Sequence, residues 1–145
     1  MNKQQIKLFA SKKSDNWRTP IELYNKLNNE FNFDFDPCPY KSEFNGLTCE
    51  WGLSNFVNPP YSNVTSFLKK AHYELYYGKA KICVFLLFSN TDTRWFHNYI
   101  YNIAELRFIK GRLKFISDDI KKNNTAMRPS MVCILKKENA LPIVY

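Results

Sequence analysis

The sequence predicts an α/β fold, in which helices layer a mostly parallel sheet that has an antiparallel edge. Amphipathic helical segments alternate with short apolar segments, as in helices that pack on a sheet. Residues 82–88 are continuously apolar, which is typical of a central parallel strand covered on both faces. Three later apolar segments follow one another without a helix between them, and these predict the antiparallel edge.

The first helix is predicted from its start signal. Thr19 is a capping residue, Pro20 suits the first helical position, and Glu22 follows the cap by three residues. Apolar residues then recur at helical spacing to about Phe31. We therefore expect a helix that begins at Pro20 and faces a core.

Two more helices follow the same pattern. One begins near Val64 and continues with apolar residues at helical spacing until Gly78, a common helix stop. The other is expected to be capped by Asp92 and to carry an apolar face up to Ile100.

Short apolar or alternating segments predict the strands. They cover residues 33–36, 56–57, 82–88, 105–109, 113–116 and 131–135. Sheets of this kind bind ligands beyond the carboxyl ends of their strands. Asp36-Pro37-Cys38 and Asn58-Pro59-Pro60-Tyr61 follow two of these strands, so both are expected to line one crevice.

Length and composition fit one domain. The 145 residues are 45% hydrophobic, which is enough apolar material for a core and excludes intrinsic disorder. We expect a basic, flexible arm over residues 1–14 and a single domain over residues 15–145.

The charge favours a polyanionic partner. There are 21 Lys and Arg residues against 13 Asp and Glu residues, a net charge of +8. Nucleic acid is the first candidate, and a basic protein that binds nothing anionic is the alternative.

Membrane, secretory and metal classes are not favoured. No apolar run reaches the ~18 residues of a membrane span, and the first residues lack the apolar block of a signal peptide. We therefore expect a cytoplasmic protein that does not bind membranes. The four cysteines form no CxxC pair and have no histidine at a zinc-like spacing, so we expect reduced thiols and no metal.

Asn58-Pro59-Pro60-Tyr61 is the segment that indicates chemistry. Its prolines stiffen the backbone and remove amide donors. The Asn58 side-chain oxygen and the Pro59 carbonyl can then accept both hydrogens of one amino group, while Tyr61 stacks on the attached ring. A simple tight turn is the alternative interpretation.

Two fixed acceptors suit methylation of an exocyclic amine, whose lone pair is delocalised into its ring. They favour a tetrahedral nitrogen, so that transfer from a methyl sulfonium needs positioning and electrostatics more than a strong base. An RNA adenine or a protein glutamine amide would be served by the same acceptors, so these substrates stay open.

Six pieces of the sequence occur in the order found in one known family. They are Asp15-Asn16-Trp17-Arg18-Thr19-Pro20, Phe35-Asp36-Pro37-Cys38, Trp51, residues 56–62, Thr91-Asp92-Thr93-Arg94-Trp95-Phe96-His97 and Gly111-Arg112-Leu113-Lys114-Phe115. Together they resemble phage-type DNA N6-adenine methyltransferases, a family of amino-methyltransferases with an NPPY motif.

The resemblance implies S-adenosylmethionine as cofactor, DNA as substrate, adenine N6 as methyl acceptor and a Rossmann-like methyltransferase sheet in abbreviated form. It implies that Asn58, Pro59, Pro60 and Tyr61 bind the amine and stack the base. The cofactor residues that it implies are Trp17, Thr19, Pro20, Asp36, Pro37, Cys38 and Glu50.

The sequence also departs from the larger methyltransferases. Pro39-Tyr40-Lys41 stands where a glycine-rich turn ordinarily follows the first motif, and the segment between the motifs is too short for the usual two strands and helices. A non-catalytic DNA-binding remnant of the fold is therefore a further alternative.

An adenine inside a duplex must be flipped out before its N6 can react. Trp95 and Phe115 can form the wall opposite Tyr61, or they can be core residues. Basic side chains near the predicted rim are expected to contact DNA, with residues 117–129 as the loop nearest the bases, in a monomeric enzyme. They are Arg94, Arg112, Lys114, Lys121, Lys122 and Arg128.

Overall fold

The structure is a computed structural model that describes residues 18–116 and 125–144. The predictions for residues 1–14, Trp17, Lys121 and Lys122 lie outside the described residues, as does the first part of the loop at 117–129.

The helices and strands follow the predicted order. The helices are α1 (Ile21–Phe31), α2 (Val64–Tyr76) and α3 (Arg94–Tyr99), with short 3-10 helices at Tyr61–Asn63 and Lys137–Asn139. The strands are β1 (Ser54–Val57), β2 (Ile82–Phe88), β3 (Glu105–Phe108) and β4 (Ser130–Lys136). An α/β fold is therefore confirmed.

The sheet is mixed, with the strand order β1-β2-β4-β3. Strands β1 and β2 are parallel, whereas β4 runs antiparallel to both of its neighbours. The antiparallel edge is confirmed, but the prediction of a mostly parallel sheet is wrong, because β1 and β2 form the one parallel pair of strands among the described residues. The apolar run of β2 reflects burial on both faces, which does not depend on the direction of the neighbouring strand.

Two predicted strands are reduced to isolated bridges. Phe35 forms a single parallel bridge with Asn55, and its carbonyl accepts a hydrogen bond from Phe56 N–H at 3.0 Å. The segment at 113–116 forms antiparallel bridges from Lys114 to Thr125 and from Ile116 to Arg18. The first segment nevertheless runs beside β1, so Asp36-Pro37-Cys38 follows a strand-like end next to the end of β1.

The core has two halves, one on each face of the sheet. Alternate residues of β2 separate them, since Phe85 belongs to the half under α2 and α3 while Val84 and Leu86 belong to the half under α1. Leu27 is the buried residue of α1, and Leu68 and Leu75 are completely buried on α2. The sheet is thus covered by helices on both faces, as the sequence predicts.

Two helix caps differ from the prediction. Pro20 occupies the cap position of α1, and the Thr19 hydroxyl accepts a hydrogen bond from the Asn58 side chain instead of capping the helix. At α3 the capping residue is Thr93, whose hydroxyl accepts from Phe96 N–H at 3.3 Å, and not Asp92. At α1 the bond to Asn58 takes the place of local capping by Thr19, whereas at α3 the cap is local and lies one residue later than predicted.

Polar contacts join the far end of α2 to the C-terminal segment. His72 is buried; its Nδ1 accepts from Leu141 N–H at 3.0 Å, so its Nε2 donates to the Tyr99 carbonyl at 2.9 Å. Lys137 donates to the Leu75 and Gly78 carbonyls and so caps the end of α2. Within the described residues, no helix has both the length and the apolar character that a membrane crossing requires.

Candidate active site

A cleft of about 600 Å³ opens at the carboxyl ends of β1 and of the neighbouring segment at Phe35. Both predicted motifs contribute to it, together with the residues before α1 and the loop that follows Cys38. Its lining residues are Arg18, Thr19, Ile21, Tyr24, Asp36, Pro37, Cys38, Pro39, Tyr40, Ser42, Phe44, Asn45, Gly46, Leu47, Phe56, Asn58, Pro60, Asn63 and Phe67. The predicted crevice between the two motifs is therefore present.

Asp36 is the acidic group of this cleft. Its Oδ1 accepts a hydrogen bond from Cys38 N–H at 2.9 Å. Burial nevertheless raises the pKa of the carboxyl from its ordinary 3.8 to about 6, because low-dielectric surroundings disfavour the charged form. A carboxylate in such surroundings is stabilised when a cationic group enters the cleft.

Cys38 lies beside Asp36 and has no features of a nucleophile. Burial and the Asp36 charge raise the pKa of its thiol well above the ordinary value, although a backbone hydrogen bond from Asn58 opposes the shift. A thiol in this state is a packing residue and not a reactive thiolate.

Asn58 is fixed by a contact between distant parts of the chain. Its Nδ2 donates to Thr19 Oγ1 at 2.9 Å. Because the amide nitrogen donates to Thr19, the side-chain oxygen Oδ1 points away from Thr19 within the amide plane. Pro59 and Pro60 follow, and Pro60 begins the 3-10 helix at Tyr61–Asn63 with an extended ψ of 136°. Asn58 and Pro60 line the cleft, whereas Pro59 is buried and is not among the described residues of the lining.

Tyr61 stacks on Phe88, a residue for which the sequence predicted no role in the site. The rings of Tyr61 and Phe88 lie 4.3 Å apart between centroids, with an angle of 28° between their planes. Phe88 is the last residue of β2, so Tyr61 lies at the carboxyl end of the next strand. Tyr61 is not one of the described residues that line the cleft. It stands beside the cleft, on the side of β2.

The cleft loop, residues 38–47, forms the outer wall where a glycine-rich turn is missing. Gly46 lies directly against Pro37, since a Cβ at Gly46 would come 1.7 Å from the Pro37 carbonyl oxygen. Its carbonyl accepts from the buried Trp51 Nε1 at 2.7 Å. The one glycine in this part of the sequence therefore serves close packing against the motif.

Aromatic rings of the cleft loop extend into this wall. Phe44 packs against Phe35 with ring centroids 5.8 Å apart, and the Arg18 guanidinium lies 5.0 Å from the Tyr40 ring centroid. No functional role was predicted for Tyr40 or Phe44 from the sequence. Aromatic residues within a loop that also carries Gly46 are the signal that could have indicated them.

Glu50 lies apart from the other predicted cofactor residues. It is exposed and pairs with Lys79 at 3.7 Å, and it does not belong to the described residues of the cleft. Pro20 is also outside the cleft lining, although its neighbour Thr19 is within it.

The described members of the predicted DNA-binding set are exposed. Arg112 donates to the Met127 carbonyl, and Arg128 donates to Asn90 Oδ1 at 3.3 Å. Arg94 is the first residue of α3, and Lys114 lies on the bridged segment next to Thr125. Phe115, in contrast, is buried in the core, which supports the core interpretation of that ring.

No metal site is formed by the part of the chain at 18–116 and 125–144. No three His, Cys, Asp or Glu side chains come together there in a group that could hold an ion.

Comparisons with known proteins match nearly the whole chain. The sequence profile of a family described as "DNA N-6-adenine-methyltransferase (Dam)" matches residues 7–144. The DNA N-6-adenine-methyltransferase of Haemophilus phage HP1 (strain HP1c1) is 29% identical over 143 aligned positions, which cover 87% of this chain and 82% of that protein. A protein of the same description from Escherichia phage T1 is 30% identical over 125 positions, covering 77% of this chain but only 50% of its own length. No solved structure matches this chain.

Proposed function

The chain belongs to the DNA N-6-adenine-methyltransferase (Dam) family, and on this premise we propose that it transfers a methyl group from S-adenosylmethionine to N6 of adenine in DNA. One observation carries the proposal beyond the family name. Asp36 and Asn58 line one cleft, although 21 residues separate them in the sequence. The cleft thus has an acidic group for a cationic cofactor and an acceptor for an amine.

We infer that the fold is an abbreviated, Rossmann-like methyltransferase sheet. The two motifs follow adjacent strand ends, as a shared crevice requires. No further strand is formed between Phe35 and β1 in the described chain. The cleft loop occupies this interval and forms the outer wall of the cleft.

The residues of the cleft fit S-adenosylmethionine. When bound, this cofactor supplies a methyl group on a positively charged sulfonium. Asp36, with its raised pKa, would bind a cationic part of the cofactor, and Tyr40 and Phe44 offer rings beside which a heteroaromatic group can lie. A volume of about 600 Å³ is within the usual range for a ligand of this size.

Asn58 and Pro59 would hold the amine of the target base. The hydrogen bond to Thr19 sets the Asn58 amide so that Oδ1 can accept one N6 hydrogen, and the Pro59 carbonyl can accept the other. Holding both hydrogens directs the nitrogen lone pair toward the methyl group, so the amine loses its proton after transfer and needs no strong base.

The target adenine must leave the duplex to reach this position, and we expect Tyr61 to stack on it. The contact with Phe88 supports this role, because Phe88 fixes the plane of the Tyr61 ring at the edge of the cleft.

A methylation assay with an Asn58→Ala variant tests the proposal. Wild-type protein should transfer labelled methyl groups to adenine in duplex DNA, and Asn58→Ala should lower the rate by at least about 100-fold, because one of two amine acceptors is lost. Asn29→Ala, on the exposed face of α1, is the matched control and should keep full activity. Thermal unfolding would check that both variants are folded.

Product analysis separates the alternatives. Digestion and mass spectrometry should find N6-methyladenine in DNA, and methyl groups in RNA or on protein glutamine would contradict the choice of substrate. A titration in which neither S-adenosylmethionine nor its demethylated product binds would favour a DNA-binding remnant without catalysis.

A further inference from the structure

Met127 is an apolar side chain on a basic surface. It is 88% exposed, more than any of the other large apolar residues on the described surface. Arg128 follows it directly, and Arg112 donates a hydrogen bond to its carbonyl. The exposed thioether thus stands between two arginines, so that one surface offers an apolar group for bases and cations for phosphates.

The segment that carries Met127 is held in place on both sides. Ala126 is buried in the core and its N–H donates to the Leu113 carbonyl at 2.8 Å, while Thr125 bridges Lys114. Because Ala126 is directed inward and anchored, Met127 is presented outward from a fixed backbone.

Met127 lies at the same edge of the sheet as Tyr61. The Ser89 N–H donates to the Pro129 carbonyl at 2.9 Å, and Arg128 reaches Asn90. Both contacts follow Phe88, the residue on which Tyr61 stacks. Arg128 and Pro129 thus connect Met127 to Ser89 and Asn90, which directly follow Phe88. Phe88 in turn stacks on Tyr61, the ring that we expect to hold the target base.

We propose that Met127 enters the base stack of duplex DNA and fills the space that the flipped adenine leaves. This inference rests on the proposed function, since it assumes a target base that leaves the duplex. Apolar side chains, methionine and leucine among them, insert between base steps in other DNA-binding proteins. The thioether is flexible and polarisable, which suits contact with base faces, and the neighbouring Arg112 and Arg128 can meet the phosphates on each side.

Methylation of two forms of the same DNA tests this role. We expect Met127→Ala to lower the rate on unmethylated genomic duplex roughly tenfold, but to change the rate on the heat-denatured strands by less than about twofold, because single strands have no stack to fill. Met127→Leu should keep most of the duplex activity. Val144→Ala removes another exposed apolar side chain (82% exposed) on the C-terminal segment and should change neither rate.

Each outcome of this assay has a separate meaning. An equal loss on duplex and denatured DNA, or no loss on either, would overturn the role of Met127. A wild-type protein that methylates no DNA would contradict the proposed function instead.

A peroxide footprint gives a readout that does not depend on activity. Met127 should be oxidised to the sulfoxide in the free protein, whereas the fully buried Met131 serves as the protected reference in the same digest. Duplex DNA with S-adenosylmethionine's demethylated product should slow oxidation of Met127 at least about fivefold, since insertion removes the sulfur from water. Unchanged oxidation under saturating duplex would overturn the proposal, whatever the methylation assay gives.

Discussion

Asn58 and Thr19 lie 39 positions apart in the sequence. The hydrogen bond between their side chains sets the orientation of the Asn58 amide group. Local rules would use Thr19 to cap α1, and the same rules would treat Asn58-Pro59 as a turn. The structure instead joins the two residues at the wall of the cleft. At the scale of single residues, the candidate site thus depends on Thr19, whose hydroxyl binds Asn58 instead of capping α1.

Thr19 is therefore predicted to be a positioning residue. Thr19→Val removes the acceptor but keeps the shape, so it should lower kcat about tenfold or more while leaving the melting temperature nearly unchanged. Thr19→Ser keeps the hydroxyl and should stay close to wild-type activity. If both variants behaved alike, the hydrogen bond would have no role in orienting Asn58.

Asp36 predicts a pH dependence of cofactor binding. Its pKa of about 6 means that the carboxyl is largely protonated below that pH in the free protein. Binding a cation requires the carboxylate, so affinity should fall as the pH drops through about 6, approaching about tenfold per pH unit. Calorimetric titration with S-adenosylmethionine between about pH 5 and 8 would measure this.

Asp36→Asn should bind more weakly and show little change over the same range. The raised pKa also has a cost in stability: the folded state retains a proton that the unfolded chain loses. The contribution of Asp36 to folding should therefore become less favourable as the pH rises from about 4 to about 6, and stay constant above. A wild-type affinity that does not vary with pH would remove Asp36 from cofactor binding.

At the scale of elements, the cleft loop is the segment that shapes the outer side of the cleft. It occupies the place after Asp36-Pro37-Cys38 and closes the cleft with Pro39, Tyr40 and Phe44. Its position depends on Gly46, which lies too close to the Pro37 carbonyl to accept a side chain, and on Trp51, which holds the Gly46 carbonyl. The wall of the cleft is thus built by packing against the motif itself.

Gly46→Ala should displace this loop. The added Cβ would overlap the Pro37 oxygen, so we expect a loss of about 1–3 kcal/mol in the free energy of unfolding and weaker binding of S-adenosylmethionine. Gly111→Asn is the matched control, because Gly111 has a φ of 76° that asparagine tolerates, and a Cβ there would meet no described atom within 4 Å beyond its chain neighbours. Urea unfolding and calorimetry would compare the two. Equal effects would show that the cleft loop does not rely on contact with Pro37.

At the scale of the whole molecule, the net charge favours binding to DNA. A net charge of +8 favours binding to phosphates. The described residues of the predicted DNA-binding set, including Lys114, are exposed. Binding driven by such charges weakens with salt, because each contact releases counterions from the DNA.

Lys114→Gln should reduce the slope of log affinity against log salt by about 0.9 if Lys114 meets one phosphate. Lys81→Gln is the control, because Lys81 directly precedes β2 and so lies at the opposite end of that strand; it should leave the slope unchanged. Fluorescence anisotropy with labelled duplex at several salt concentrations would measure both. The same change for both lysines would mean that the charge acts without a defined DNA surface.

The sequence by itself determined the local elements and the chemical groups of this protein. Helical spacing and the apolar run at 82–88 set α1, α2 and β2, and the proline-bounded segment at Asn58 indicated an amine acceptor, because both depend on neighbours along the chain. The tertiary structure alone decided that β4 enters between β2 and β3, that Thr19 turns to Asn58, that Tyr61 stacks on Phe88 and that Glu50 lies away from the cleft. These are contacts between residues far apart in the sequence, and they form only when the sheet brings the ends of its strands together.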